Sequence, residues 1–151
     1  AVSDGVISVL ATDHAPHTWE EKQGSYFQAP SGLPLIQHSL LLLLEMVKDG
    51  AFSIETVVER ASHAPAQIFN VVDRGFIREG YWADLVIVNP AEKTVVQGSK
   101  LYSQCKWSPF PEEIFSNSIS STIVSGHLAY HQGTLHTNHI GQRVEFNSER
   151  R

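Results

Sequence analysis

The sequence holds 151 residues, 42% of them apolar and 18% charged, the balance of a soluble globular domain with room for one sizeable core. A net charge of −5 without any Lys/Arg cluster excludes a nucleic-acid surface, and the longest apolar run, Leu40 to Leu44, is far too short to cross a bilayer. Cys105 is the only cysteine, which excludes an internal disulfide and makes a reducing cytoplasm the natural setting.

The first predicted element is a buried strand. Val6, Ile7, Val9, Leu10 and Ala11 form a short apolar run rich in β-branched residues. It stops at Thr12-Asp13-His14-Ala15-Pro16-His17, where a carboxylate and two imidazoles fall within five residues and Pro16 prevents further pairing. A carboxylate at the end of a buried strand needs a partner, whether a metal, an arginine or donated N–H groups. The plainer alternative is that Asp13 caps the next turn and the histidines are ordinary loop residues.

Thr18 to Ala29 is polar and irregular, and a loop of that length just beyond the motif reads as a mobile active-site loop. Ala29-Pro30-Ser31-Gly32 turns the chain into a strong helix, with Pro34 in its first turn and a wide apolar surface through Val47. Asp49-Gly50 ends that helix. Ser53 is expected to cap a second helix to about Ala61, and Ser62 a third to Asn70, with Pro65 tolerated in its first turn.

From Val71 the texture becomes that of a β region. Ala83 to Pro90 is a strand with a proline stop, and Thr94 to Gln97 is a shorter one. Ser99 to Phe115 reads as a long aromatic loop, and Ser120–Val124 with Leu128–His131 as a hairpin about Gly126. The polar tail from Thr137 to Arg151 is expected to be flexible. His127, His131, His136 and His139 do not spell a zinc site, because their spacing is irregular, no cysteine accompanies them and a hairpin alternates faces. His38 and His63 are read as structural, and Trp107 and Phe110 as core of the β region.

The hexapeptide TDHAPH after an apolar strand resembles the last-strand motif of the dihydroorotases, members of the amidohydrolase superfamily related to allantoinases and hydantoinases. The resemblance continues through FQAPSGLPLIQHSL (27–40), ASHAPAQIFNV (61–71), GFIREGYWADLVIVNP (75–90) and CKWSPF (105–110), up to about His136. Ala15 and His17 are the spellings that favour dihydroorotase over its relatives. PFPEEIF (109–115) departs from the family, which has a glycine soon after Pro-Phe.

The resemblance implies an α/β fold: the C-terminal part of a TIM-like (β/α)8 metal-dependent hydrolase barrel, followed by a small β-sandwich segment. Residues 1–71 would be the last strand and helices of the barrel, 72–136 part of the β domain, and 137–151 a flexible tail. A whole barrel needs about 250 residues, so this chain would be the C-terminal region of a longer enzyme, whether a cleaved product, one of several fragments or a truncated form. The implied reaction is the reversible cyclisation of N-carbamoyl-L-aspartate to L-dihydroorotate, the third step of de novo pyrimidine synthesis.

Asp13 would bind the metal and shuttle a proton from the metal-bridging hydroxide to the departing amide nitrogen. His17 would hydrogen-bond the substrate carboxylate, helped by backbone N–H from the Ala15 region; the alternative is a loop histidine packed on Pro16. His14 would sit behind Asp13 and orient it. Pro30, Ser31 and Gly32 would face the dihydropyrimidine ring, where a glycine lets backbone approach closely, or would form a simple helix-entry turn.

The implied cofactor is zinc, dinuclear in the complete enzyme. The family's His-x-His, carboxylated lysine and two later metal-binding histidines have no counterpart here, so Asp13 is the sole candidate ligand. The implied partners are the small-molecule substrate, the remaining N-terminal part of the enzyme and, for the assembly, a homodimer; nucleic acid and membrane are not among them. Two rival readings stand beside dihydroorotase. One is an allantoinase or hydantoinase, which would share Asp13 but not His17. The other is a non-catalytic dihydroorotase-like subunit acting as a scaffold.

Overall fold

The computed structural model describes residues 1–147. Its elements are α1 (Ser39–Lys48), α2 (Ile54–Val58), a π-helical turn (Glu59–His63), α3 (Ala64–Ile68), β1 (Leu85–Asn89), β2 (Thr94–Val95), β3 (Ile114–Phe115), β4 (Ser118–Val124), β5 (His127–His131) and β6 (Thr134–Leu135).

The run from Val6 to Ala11 does not form the expected buried strand. Val6 is 77% and Ile7 43% exposed, and the first β-type pairing of the chain is an isolated parallel bridge between His14 and Leu33. The physical reason is the lack of neighbours: an extended segment becomes a strand only when others satisfy its N–H and C=O groups, and none lies alongside residues 6–11 among the described residues. Ile7 donates its N–H only locally, to the Ala1 carbonyl at 3.1 Å, and Leu10 donates its N–H to the distant Arg60 carbonyl at 3.0 Å.

That carbonyl is free because of Pro65. The Ala64 N–H reaches back five residues to the Glu59 carbonyl, and the next donor in that pattern would be residue 65, whose proline nitrogen carries no hydrogen. The helical segment therefore runs unbroken from Ile54 to Ile68 through a π turn, where the sequence suggested a fresh start capped by Ser62. Ser53 does cap α2, accepting the Thr56 N–H at 3.3 Å. At the far end Asn70 (φ 51) takes the left-handed conformation, and the Val71 N–H returns to the Ala66 carbonyl at 2.8 Å.

Helix α1 starts at Ser39, five residues later than Pro34 suggested. Hydrogen bonds from the motif hold residues 33–36 outside the helix: Leu33 accepts from Ala15 and Ile36 donates to His14. Its end matches expectation, with the Gly50 N–H on Val47 and the Ala51 N–H on Met46 closing the last turn.

The larger sheet is antiparallel in the order β1-β4-β5-β6, and β2 pairs with β3 in a second, two-stranded sheet. Thr94–Val95 is shorter than the strand expected over 94–97, and the aromatic loop ends in β3. The hairpin between β4 and β5 turns at Ser125-Gly126, both at positive φ (51 and 84), which matches the twist of the flanking strands. Asp84 secures that turn by accepting the Ser125 N–H at 2.6 Å while its other oxygen pairs with Arg74.

The core draws on both sides of residue 72. Leu41 of α1 packs with Val96, Leu101 and Phe115, and Phe110 and Ile119 close around them. His38, just before α1, is buried there, stacked on Phe115 at 6.0 Å; removal from water pushes its imidazole below the ordinary histidine range. Residues 137–147 are exposed but not detached. The Val72 N–H bonds to Glu145 and the Asn147 N–H to Asn70, each at 2.9 Å, and His139 stacks on His127 at 4.0 Å. The last part of the expected flexible tail, 148–151, lies outside the described residues.

Candidate active site

Each side of the TDHAPH motif is fixed by backbone hydrogen bonds. The Ala15 N–H, expected to face a substrate carboxylate, goes to the Leu33 carbonyl at 3.0 Å, and the His17 N–H to the Ala15 carbonyl at 3.0 Å. Gly32 sits against Ala15. A Cβ at residue 32 would lie 2.4 Å from the Ala15 Cβ, and its φ of 104 is one that L-residues rarely adopt. The need for glycine here thus comes from packing on the motif. Ser31 beside it is exposed.

Asp13 stands at the apex. Its φ of 45 is left-handed, uncommon for a residue other than glycine. Its side chain is exposed rather than buried, and no hydrogen bond engages the carboxylate among the described residues. His14 does not orient it: its Nδ1 accepts the Ile36 N–H at 3.2 Å.

His17 is half-buried, with Nδ1 3.6 Å from Glu21 Oε2. The Thr18 N–H donates to the same Glu21 oxygen at 2.7 Å, and that bond, with help from His17, holds the Glu21 carboxyl below its usual range. The loop after His17 is clasped rather than open. Lys22 Nζ donates to the Pro30 carbonyl at 2.5 Å and to Gly32 at 3.1 Å, so residues 22–32 close on themselves.

Two side chains near the motif make contacts that local sequence does not show. Lys22 lay in a stretch without periodicity, and only its contact with two carbonyls of the glycine turn marks it. Trp107, expected to be core, donates its indole N–H to the His17 carbonyl at 2.8 Å and meets Trp19 edge-on at 5.8 Å. Tyr102, Trp107, Phe110 and Phe115 mark the stretch as an aromatic loop, but nothing in the spacing points it at His17, ninety residues earlier.

A metal centre does not fit these residues by themselves. No three His, Cys, Asp or Glu side chains converge among the described residues, and zinc is ordinarily held by three or four protein ligands. His131 is occupied by Ser121 Oγ at 2.9 Å, and His63 stacks on Phe76 at 4.3 Å with Glu59 at its Nδ1. No helix among the described residues is long and apolar enough to cross a membrane.

Comparison with known proteins matches this frame. The amidohydrolase family model covers residues 1–129. A dihydroorotase of Halobacterium salinarum is 42% identical over 109 residues, 72% of this chain and 26% of that protein. One of Clostridium acetobutylicum is 37% identical over 131 residues, 86% of this chain and 31% of that protein. Among solved structures, the L-hydantoinase of Arthrobacter aurescens superposes with a TM-score of 0.87 at 29% identity, over 95% of this chain and 33% of its own. The D-hydantoinase of a Thermus species gives 0.82 at 26% identity, over 94% and 31%. The chain thus spans about a third or less of the relatives it matches. With a family model over residues 1–129 and cyclic-amide hydrolases on both sides of the comparison, the chain belongs to the amidohydrolase family.

Proposed function

We propose that the chain is the C-terminal region of a dihydroorotase, acting in the reversible interconversion of N-carbamoyl-L-aspartate and L-dihydroorotate. The observation that carries this reading is the identity of 42% and 37% to proteins named dihydroorotase, against 29% and 26% to the hydantoinases it superposes on. His17 in the motif supports the same choice. In this reading residues 1–71 complete a (β/α)8 barrel, 72–136 contribute to a small β-sandwich, and 137–151 follow it. The apolar cleft between Leu10, Leu40, Leu43, Val57 and Val88 is the kind of surface that preceding barrel elements would cover.

Asp13 is the proton carrier. Ring opening adds water to an amide carbonyl and breaks the C–N bond, so one proton must leave the water and one must arrive on the nitrogen. An exposed carboxylate with no hydrogen-bond partner among the described residues is free to take up and return that proton. The metal implied by the family, zinc in this reading, would count Asp13 as one ligand and draw the others from residues outside this chain. His17 receives the substrate carboxylate through Nε2, since its Nδ1 faces Glu21. Ser31 and Gly32, on the turn packed against Ala15, border the ring.

The test uses the complete enzyme. Asp13→Asn keeps the size and removes the proton acceptor, and turnover in both directions should fall about two to four orders of magnitude. Near-normal turnover would reduce Asp13 to a structural cap. His17→Ala should raise KM for dihydroorotate roughly ten- to a hundredfold, as expected for one hydrogen bond to a charged group, with metal content unchanged. An unchanged KM would favour a hydantoinase-type substrate lacking the carboxylate.

A further inference from the structure

The His17 end of the motif is held by a residue ninety positions away. Trp107 Nε1 lies 2.8 Å from the His17 carbonyl, and that bond is the one contact tying the backbone of residue 17 to the β region among the hydrogen bonds described. Trp107 is itself presented by a braced loop. Leu101 is anchored in the core; Gln37 grips the loop's entry, donating to the Lys100 carbonyl and accepting the Tyr102 N–H, both at 2.9 Å. Lys106 Nζ donates to the Leu101 carbonyl at 3.0 Å, and Phe110 packs on the core beyond. Within the loop Lys106 takes a left-handed φ of 54, which turns the chain just before the indole.

We propose that Trp107 is a positioning residue for His17: its N–H fixes the backbone from which the imidazole projects, and so sets the place where the substrate carboxylate is received. A tryptophan suits this because a half-buried indole must spend its single donor on an acceptor, and a backbone carbonyl accepts without competing for the imidazole ring. The Trp19 edge contact holds the indole plane. The substrate used to test the proposal rests on the dihydroorotase reading; the hydrogen bond does not.

The experiment takes the complete enzyme labelled with 15N-histidine and compares wild type, Trp107→Phe and a variant carrying benzothienylalanine at 107. The last keeps the bicyclic shape without the N–H, so it stays informative should Trp107→Phe fold poorly. The His17 ring signal, assigned by its loss in His17→Ala, should move or broaden in both variants. KM for dihydroorotate should rise about two- to tenfold, the range for one neutral hydrogen bond, with kcat held. In a His17→Ala background the same substitution should add nothing, since it acts through a ring that is gone. An unmoved His17 signal, or KM penalties that multiply in the double variant, would overturn the proposal. Should wild type fail to turn over dihydroorotate, the functional reading falls, and the histidine signal alone decides the role of Trp107.

Discussion

At the scale of single residues, the motif is a balance between exposure and backbone constraint. Asp13 offers its carboxylate to solvent on a left-handed backbone, and the Ala15 and His17 N–H groups are committed to the Leu33 and Ala15 carbonyls. Gly32 is sharply determined. Its substitution by alanine forces a Cβ to within 2.4 Å of the Ala15 Cβ at a φ of 104, and should cost about 2–4 kcal/mol from overpacking and backbone strain together. Thermal unfolding of Gly32→Ala alone and with Ala15→Gly checks this: the second change should recover the clash but not the strain. Full recovery would mean the φ is relaxed. Asp13 and Gly32 were legible as special from residue type and neighbours. Their surroundings were not, because local sequence does not say which carbonyl an N–H such as that of Ala15 will find.

At the scale of elements, what local chemistry specifies came through. The Ser53 cap, the stop at Gly50, the strand at 85–89 and the Ser125-Gly126 turn each depend on a few adjacent residues. What depends on distant partners did not. The Val6–Ala11 run has strand composition but no strand beside it, and Pro65, although it does fall in the first turn of α3, follows a π turn rather than a break capped by Ser62. The joint between α1 and the sheets was equally hidden. Glu45 accepts from the Ser116 hydroxyl at 2.7 Å and Asn117 Nδ2 at 3.1 Å, as well as from the Ser116 N–H. The Ser116 hydroxyl first, then its N–H, hold the Glu45 carboxyl below its usual value of 4.5. A carboxyl lowered in the fold contributes stability that is complete above 4.5 and is lost as pH falls through the lower folded value. Wild type should therefore lose melting temperature more steeply than Glu45→Gln on acidification below that point. Parallel curves would show that Glu45 contributes no linked proton.

At the scale of the whole molecule, the core and the chemistry sit in different company. Leu41, Val96, Leu101 and Phe115 close a small interior, while Leu10, Leu40, Leu42, Leu43, Ile54 and Val58 line an open apolar cleft. Val6 and Ile36 are further exposed apolar side chains, at 77% and 63%. Such a face drives association in water. These 151 residues taken alone should bind zinc weakly, give no turnover, and associate as concentration rises. Light scattering, zinc titration and a dihydroorotate assay read the three outcomes. A stable monomer that hydrolyses dihydroorotate unaided would refute the expectation.

The π turn at Glu59–His63 also bears on the order in which the chain assembles. Helical segment 54–68 needs only contacts between near neighbours, and such contacts form early. Because Pro65 withholds a donor, the finished helix still presents the Arg60 carbonyl unclaimed. Leu10 can then dock onto it without any helical hydrogen bond being broken, fifty residues back along the chain. A Pro65→Ala change would hand that carbonyl to the helix itself, and the approach to Asp13 would lose its landing point before the rest of the fold had closed.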